Sequence, residues 1–193
     1  PAGVRVGLHV RGSWSRGTGD ASGIALATEG EGPAGYVDVD ELGPDDDAAL
    51  AAWLADPEAP KALHDAKGPL LALQARGWTL AGLTSDTALA AYLALPGQGV
   101  FDLADLSLRY LHRELRAEKA DDGQLAFDGD DEGDTAADAA LRARAVADLA
   151  VALDADLAQR EATALLRDLE LPLLEVLADC ERTGIAADVD HLE

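Results

Sequence analysis

Asp65 is the side chain in this sequence whose type and position could support chemistry. It follows a short extended segment at 61–64 and precedes a predicted helix at 67–76. In open α/β sheets, ligands bind beyond the carboxyl ends of the strands, so an aspartate there could hold a metal ion or a polar substrate. The alternative is structural, because aspartate is also a preferred N-cap residue of helices. Position alone favours the capping role.

A second group of acidic side chains lies between residues 118 and 138, where nine Asp and Glu residues accompany one lysine. Glycines are interspersed, so the segment cannot form a packed core and we expect a disordered loop. The alternative is a metal-collecting or partner-binding tail. The spacing at 128–134 lacks the full pattern of a calcium loop, which argues against the metal role.

The segment around Asp65 alternates strands and helices. Its predicted elements are a strand at 61–64, a helix at 67–76, a strand at 78–83 and a helix that ends at 96–97. The second helix begins at Ser85 or Asp86, since either residue can serve as its N-cap. Strands that alternate with helices indicate parallel neighbours joined by crossovers.

The sequence before residue 61 has a different pattern, in which short strands joined by polar turns predict an antiparallel meander. The strands are placed at 4–10, 24–28 and 35–39, and the Gly- and Ser-rich segment 11–23 is predicted to be a loop. Predicted helices complete the chain at 45–55, 103–115, 135–160 and 169–185.

Composition limits the class of protein. The chain has 193 residues, of which 48% are hydrophobic, which suits one sizeable domain with an appendage. Fifteen Lys and Arg residues against 37 Asp and Glu residues give a net charge of -22. Such a charge repels polyanions, so the chain as a whole lacks the basic footprint of an autonomous nucleic-acid-binding module.

The sequence contains no apolar run long enough to span a membrane and no recognisable secretory leader. Its single cysteine, Cys180, excludes an internal disulfide and fits a reducing compartment. The position of Cys180 in an apolar helical stripe predicts a packed core thiol. The absence of methionine suggests a piece of a longer chain.

One segment has a specific pattern, LPLLEVLADCERTGIAAD at 171–188, in which an apolar-Pro-Leu helix is followed by Glu181, Gly184, Ile185 and Asp188. It resembles the junction between the proofreading exonuclease domain and the polymerase domain in the bacterial DNA polymerase I family (family A). Three further segments resemble that exonuclease domain, in the same order and at similar separations: KALHDAKGPLLALQARG, SDTALAAYL and DLADLSLRYL.

The resemblance implies the ribonuclease-H-like fold of the DEDD exonucleases. This is an α/β fold whose mixed sheet runs from an antiparallel meander into parallel strands and is flanked by helices. The resemblance also implies a 3'-5' exonuclease-like domain at 1–168. The helical junction and the start of a polymerase domain would then occupy 169–193.

The chemistry that the resemblance implies is two-metal hydrolysis of a phosphodiester, in which a cluster of carboxylates offsets the charge of two divalent ions. The family's Asp-x-Glu pair, its central Asp and its late helical Tyr and Asp fall here on His9, Arg11, Asp65, Arg142 and Val146. Only Asp65 keeps a carboxylate. Sliding the predicted helix at 135–160 by two residues would bring in Asp148, but it would turn the apolar stripe that contains Val146 away from the core.

We therefore expect a vestigial domain without proofreading activity, with no metal ion and no cofactor of its own. Mg²⁺ is expected only in the polymerase domain of the parent chain. Arg11 is expected to enter the vacated metal space and pair with Asp65, whereas His9 could instead be a buried, hydrogen-bonded strand residue. The implied partners are the polymerase domain in cis and DNA in the full-length enzyme. The isolated fragment is expected to be a cytoplasmic, nucleoid-associated monomer that binds DNA weakly or not at all and contacts no membrane.

Two other functions stay open. One is an exonuclease with a rearranged site that recruits substitute ligands from Asp20, Asp38, Asp40 and Asp86. The other is a module that holds single-stranded DNA without cutting it, through Arg11, Trp14 and Arg16. The structural alternative for these three is a loop in which Trp14 packs on the sheet.

Overall fold

The computed structural model of the chain describes residues 3–15, 17–115 and 132–186. Arg16, most of the predicted acidic loop and the predicted start of a polymerase domain after residue 186 lie outside these ranges. The strands are β1 Val6–Ser15, β2 Thr18–Ala27, β3 Ala34–Asp38, β4 Lys61–Leu63 and β5 Leu83–Asp86. The helices are α1 Pro44–Leu54, α2 Lys67–Ala75, α3 Thr87–Ala94, α4 Leu103–Leu106, α5 Glu132–Gln159, α6 Thr163–Leu165 and α7 Leu171–Thr183. Two π-helical segments, Ser107–Leu111 and Leu166–Glu170, continue α4 and join α6 to α7.

The five strands form one mixed sheet in the order β3-β2-β1-β4-β5. β1 pairs antiparallel with β2, and β2 pairs antiparallel with β3. β4 lies parallel to β1 on one side and to β5 on the other. The predicted fold class, an antiparallel meander that leads into parallel strands flanked by helices, is confirmed.

Helices cover both faces of the sheet. On one face, α2 packs on β1 and β2, and α7 packs on α2. This core includes Leu8, Ile24, Leu73 and Leu174. On the other face, α5 crosses β1 and β2 at close range, because Gly7 leaves its Cβ position to the backbone of α5 at Ala143. The predicted stripe on α5 is confirmed, since Val146, Leu149, Leu153 and Leu157 are all fully buried.

The predicted loop at 11–23 is wrong, because β1 and β2 form a long hairpin that pairs residues as far as Ser15 and Thr18. The glycines of this segment allow neighbouring elements to pack closely against the hairpin. A Cβ at Gly19 would lie 2.8 Å from the Cα of Ala72 on α2, so a side chain at that position would push the helix away. The pairing register shifts between Arg11 and Gly12, which marks a β-bulge.

Three other boundaries differ from the predictions. β5 is Leu83–Asp86 and not 78–83, since Trp78 is buried by packing without joining the sheet. The helix predicted at 103–115 ends at Leu111. α5 begins at Glu132, so the end of the segment predicted to be a disordered loop is helical. Its acidic residues directly precede the apolar stripe of α5 and belong to the same helix.

Within the described residues, no helix combines the length and the apolarity that crossing a membrane requires. Cys180 is exposed, so the prediction of a packed core thiol is wrong. Its neighbour Ala178 faces the core instead.

Lys61 is a fully buried lysine at the start of β4. Its ammonium group donates to the backbone carbonyls of Asp56, Ala59 and Ala81 at 2.8–2.9 Å. The same group lies 4.8 Å from the centre of the Trp53 ring. Lys61 therefore joins the α1–β4 loop to the segment before β5, because its ammonium group donates to carbonyls on both sides.

We expect Lys61→Met to lower the free energy of unfolding by about 3 kcal/mol, because the three carbonyls lose their donors while the buried volume is kept. Chemical denaturation monitored by circular dichroism measures this change. The matched control is Lys67→Met, which breaks a half-exposed ion pair with Glu181 and should cost under about 1 kcal/mol. Equal effects of the two substitutions would contradict the role given to Lys61.

Candidate functional site

A cleft of about 1160 Å³ lies where the carboxyl ends of β1 and β4 meet, at the edge of the sheet that the sequence indicated. Its walls come from the β1–β2 hairpin, the β4–α2 junction, the segment 99–103 and the start of α5. Four of the five predicted site positions line this cleft: His9, Arg11, Asp65 and Arg142.

The fifth position, Val146, lies in the core and does not line the cleft. The apolar stripe correctly predicts which side of α5 faces the core. Val146 belongs to that stripe, so its side chain lies in the core and not in the cleft. The α5 side chains that line the cleft four residues apart are Asp138 and Arg142. Asp148, the alternative considered for this helix, accepts the N–H of Gly30 at 2.7 Å and pairs with Arg113 at 2.9 Å, and it does not line the cleft.

Arg11 is held by an aromatic side chain and not by an acid. Its guanidinium donates to the Tyr36 hydroxyl at 3.3 Å and lies 6.0 Å from the centre of the Tyr36 ring. Gly23 on β2 makes this possible, because a Cβ there would collide with the Tyr36 side chain. No ion pair joins Arg11 to Asp65 in the described part of the chain, so the predicted pairing is wrong.

Asp65 is exposed and adopts a left-handed backbone conformation with φ of 48°. The N-cap position of α2 is Ala66, and no side chain caps that helix, so the predicted capping role of Asp65 is wrong. Its carboxylate lines the cleft without a hydrogen-bond or ion-pair partner among the described residues. Non-glycine residues in this conformation cost free energy and persist only when their surroundings impose it.

Asp86 imposes that conformation from the end of β5. Its carboxylate is almost fully buried and accepts four backbone N–H groups, those of Asp65 at 3.2 Å, Ala66 at 2.7 Å, Ala88 at 2.8 Å and Leu89 at 3.2 Å. Of the two predicted N-cap candidates for α3, Asp86 is therefore the cap. Its link to the β4–α2 junction was not predictable from local spacing, because it joins positions 20 and 21 residues apart.

Burial raises the pKa of Asp86, and the backbone N–H groups and His64 oppose that rise. Both carboxylate oxygens are already engaged with the backbone. Asp86 is therefore a structural residue, and its oxygens are not free to bind a ligand in the cleft.

On α5, Arg142 is only 4% exposed, and its Nε donates to the Asp138 carboxylate at 2.8 Å.

On β1, His9 faces the same region. Burial lowers the pKa of His9 to about 4, and Arg142 is the next largest cause, opposed by Asp138 and assisted by Arg11 and His64. His9 is therefore neutral at pH 7. It is half-buried, and no hydrogen bond to a described residue holds it, so the alternative of a buried, hydrogen-bonded histidine is met only in part.

The remaining acids are dispersed. Asp20 is exposed and lines the cleft, and Asp102 lines it while capping α4. Asp38 and Asp40 lie outside it, and Asp40 pairs with Arg76 at 3.1 Å. In residues 3–15, 17–115 and 132–186, no group of three or more His, Cys, Asp or Glu side chains could hold a metal ion.

Trp14 stands on the hairpin wall of the cleft and is 41% exposed. It packs against the first turn of α2, where Gly68 leaves room for the indole, and not on the sheet as predicted. Sequence reasoning missed Val100 and Phe101, which also line the cleft, because the segment before α4 carries no periodic pattern.

We expect Asp86→Asn to lower the free energy of unfolding by about 2–3 kcal/mol, because an amide presents an NH₂ group to buried N–H donors. Asp102→Asn is the matched control. Asp102 also caps a helix, but its carboxylate is exposed. Because Asn caps a helix about as well as Asp, this substitution should change the free energy of unfolding by only a few tenths of a kcal/mol. Denaturant titration of both variants measures the difference, and equal losses would contradict the buried role of Asp86.

The lowered pKa of His9 predicts a loss of stability in acid. The unfolded chain binds a proton at His9 near the ordinary pKa of 6.5, whereas the folded chain binds it only near 4, so stability falls as pH drops through this window. We expect about 2 kcal/mol of this loss between pH 7 and pH 4.5, after a discount for partial exposure. His9→Gln should remove that part, and His112→Gln, a change at an exposed histidine, should keep it. A titration midpoint of the His9 ring above pH 6 in NMR would contradict the assignment.

Comparison with known proteins agrees with this architecture. The family described as DNA polymerase I, ribonuclease H-like domain matches residues 18–120. DNA polymerase I of Mycobacterium bovis is 56% identical over 192 residues, which are 98% of this chain and 21% of the relative's length. The chain thus spans about a fifth of that relative.

Solved structures agree as well. The POL domain of Pol1 from M. smegmatis, solved in complex with DNA primer-template and dNTP, matches with a TM-score of 0.85 at 46% identity, over 96% of this chain and 30% of that one. Escherichia coli RNase D, an exoribonuclease, matches with a TM-score of 0.69 at 20% identity, over 95% of this chain and 46% of its own, which shows the shared fold. Together with the mixed sheet and the cleft at its carboxyl edge, these matches show that the chain belongs to the ribonuclease H-like domain family of DNA polymerase I.

Proposed function

We propose that this chain is a vestigial, non-catalytic 3'-5' exonuclease-like domain of a DNA polymerase I that works in DNA replication and repair. The observation that carries the proposal is the set of side chains that line the cleft. The positions that the resemblance gives to the Asp-x-Glu pair hold a neutral His9 and the guanidinium group of Arg11, and the buried guanidinium group of Arg142 lines the cleft from α5.

Two divalent ions about 4 Å apart need several negative oxygens that converge on one point. Hard ions such as Mg²⁺ and Mn²⁺ prefer oxygen ligands, and imidazole is a poor substitute. In the cleft, Arg142 binds the Asp138 carboxylate. Asp65 and Asp20 also line the cleft, but among the described residues neither belongs to a group of three or more side chains that could hold a metal ion. This donor set does not fit a pair of divalent ions, so we derive no hydrolytic step through them.

We keep the helical pair of the degenerate site at Arg142 and Val146, the positions that the resemblance gives. Arg142 lines the cleft and is only 4% exposed, whereas Val146 is buried in the core. Neither side chain offers a carboxylate, which supports the proposal.

The partners follow from the family. We propose an exonuclease-like domain at 1–168 and, at 169–193, the junction to a polymerase domain in cis. The full-length enzyme would contact DNA, whereas the chain itself would bind DNA weakly or not at all. This domain would hold no cofactor. Mg²⁺ would serve only the polymerase domain. The full-length protein would act as a monomer at the nucleoid, in the cytoplasm.

A second candidate is a module that holds single strands without cutting them. The observation in its favour is the cleft wall, where the exposed Trp14 faces the same space as Phe101 and Arg11. Base stacking on aromatic side chains supports such binding. The net charge of -22 opposes it. The rearranged exonuclease has less support, since two of its four candidate ligands, Asp38 and Asp40, lie outside the cleft and Asp86 is saturated by backbone N–H groups.

Incubation of the chain with end-labelled single-stranded DNA in Mg²⁺ or Mn²⁺ tests the proposal. We expect no release of mononucleotides above the background without protein, because the site lacks the ligands for two ions. Gel electrophoresis of the products is the measurement.

The control variants are Asp65→Ala in the cleft and Asp45→Ala on the exposed first turn of α1. Metal-dependent release that Asp65→Ala abolishes and Asp45→Ala preserves would show an active site and overturn the proposal. Binding without release, lost in Trp14→Ala at low salt, would favour the single-strand module.

A further inference from the structure

β3 is the edge strand of the sheet, and among the described residues it pairs with β2 alone. Just after β3, the N–H of Val39 donates to the carbonyl of Ser22 at 3.1 Å. Hydrogen-bonded residues alternate along an antiparallel ladder, so every second residue of β3 turns its backbone N–H and C=O away from β2. These outward residues are Ala34, Tyr36 and Asp38. β3 therefore offers backbone donors and acceptors to a further strand.

A groove of about 640 Å³ lies beside this edge, at the start of β1. Val6 and Leu26 line it from the sheet, and Trp53 and Pro60 line it from α1 and the loop that follows. Gly35 leaves the side towards β3 open, because a Cβ at Gly35 would meet no atom within 4 Å. We name the space between these five residues the edge groove.

The edge groove is apolar inside. Val6 and Leu26 are half-buried, and they pack against the main core together with Trp53. The Lys61 ammonium group lies 4.8 Å from the centre of the Trp53 ring and holds that wall in place. Val4 lines the open end and is 39% exposed. A large apolar side chain that enters from β3 would therefore be stabilised by burial.

The rim of the edge groove is acidic. Asp56 and Glu58 are exposed and line it, and in the described part of the chain no lysine or arginine does. Glu29 and Glu31 are also exposed, on the turn between β2 and β3. Arg144 donates to backbone carbonyls of this turn but does not line the groove. The edge groove therefore attracts a cationic partner and repels a polyanion such as DNA.

We propose that the edge groove and the outer edge of β3 form a docking site for an extended peptide segment of another protein. The segment carries one large apolar side chain, with lysine or arginine on either side of it. In this mode of recognition, main-chain hydrogen bonds to an exposed edge supply affinity, and pockets for alternate side chains supply specificity. The apolar side chain enters the groove beside Leu26. A lysine or arginine two positions away lies on the same side of the added strand and pairs with the acidic rim.

The proposal is independent of the proposed function. The edge groove lies at the start of β1 and the cleft at its other end, and the two share no lining residue among the described residues.

A second copy of this chain fits the edge groove less well than a cationic peptide. Its own β3 carries Asp38 and neither lysine nor arginine. Each copy also has a net charge of -22, so two acidic edges repel one another.

A synthetic peptide tests the proposal, with lysine and threonine in alternation around one central leucine and a fluorescent label at one end. Fluorescence anisotropy with the 193-residue chain measures binding. We expect saturable binding at submillimolar concentrations. A peptide of the same charge, with serine in place of the leucine, should bind at least roughly tenfold more weakly, since it buries no large apolar side chain. A peptide with glutamate in place of lysine should not bind.

Amide hydrogen exchange followed by NMR locates the bound peptide. A strand added to β3 should slow exchange at the outward residues and leave Gly35 and Val37, which already face β2, unchanged.

Two pairs of variants test the groove itself. Gly35→Leu places a side chain in the open space, at a position without a left-handed backbone, and should weaken binding of the leucine peptide by roughly tenfold or more. Gly99→Leu is its control, since a Cβ there also meets no atom within 4 Å but lies in the cleft wall. Glu58→Lys should weaken binding several-fold, whereas Glu175→Lys on α7 makes the same charge change away from the groove and should have little effect.

Equal binding of the leucine and serine peptides would overturn the proposal, because charge attraction alone would then explain it. Unchanged exchange at the outward residues of β3 would overturn it too, as would equal effects within both pairs of variants. A dimer in sedimentation without peptide that Gly35→Leu dissociates would make a second copy the occupant and the proposal wrong. Circular dichroism checks that Gly35→Leu is folded, and Glu58→Lys gives an independent result on an exposed loop.

Discussion

The Asp86 carboxylate accepts four backbone N–H groups from two segments, and the edge of the sheet at the cleft depends on this contact. It caps α3 and also fixes the β4–α2 junction, where Asp65 is kept in a left-handed conformation. Burial raises the pKa of this carboxyl, and each N–H dipole, together with His64, opposes that rise. The backbone N–H groups of two segments thus meet at one carboxylate, which holds the junction in shape.

The charged side chains in the cleft also contribute to its structure. A cluster of carboxylates repels itself unless cations occupy its centre, so a metal-free site of that kind strains the fold. Here, the Arg142 guanidinium lies in the cleft wall against Asp138, and Arg11 rests on Tyr36. Burial lowers the pKa of His9, and the two arginines assist, so that His9 stays neutral. The cleft therefore persists as a shape, with two arginines among its dispersed aspartates and no group of three or more side chains in the described residues that could hold a metal ion.

Much of the fold was predictable from local patterns. The order of strands and helices, the end of α2 shortly before Gly77 and the buried stripe of α5 follow from periodicity and turn residues. The β1–β2 hairpin was missed because Gly19 and Gly23 resemble loop residues, although they serve the close approach of α2 and Tyr36.

The candidate site was predictable in part. The strand-end rule located Asp65, and the resemblance located His9, Arg11 and Arg142 at the cleft. Val146 lies on the stripe of α5 that faces the core and does not line the cleft, and only the three-dimensional contacts identify Asp138 as the neighbour of Arg142 there. Contacts between distant residues, such as Arg11 with Tyr36, leave no signal in local spacing.

The contact between Gly17 and Glu181 joins residues 164 positions apart and secures the tip of the hairpin that carries Trp14. During synthesis on the ribosome, about 10–30 s separate these two residues at ordinary elongation rates. One wall of the cleft thus lacks its anchor until α7 has emerged from the exit tunnel. β1 and β2 must meanwhile avoid aggregation, a task to which their glycines and the acidic character of the chain are suited.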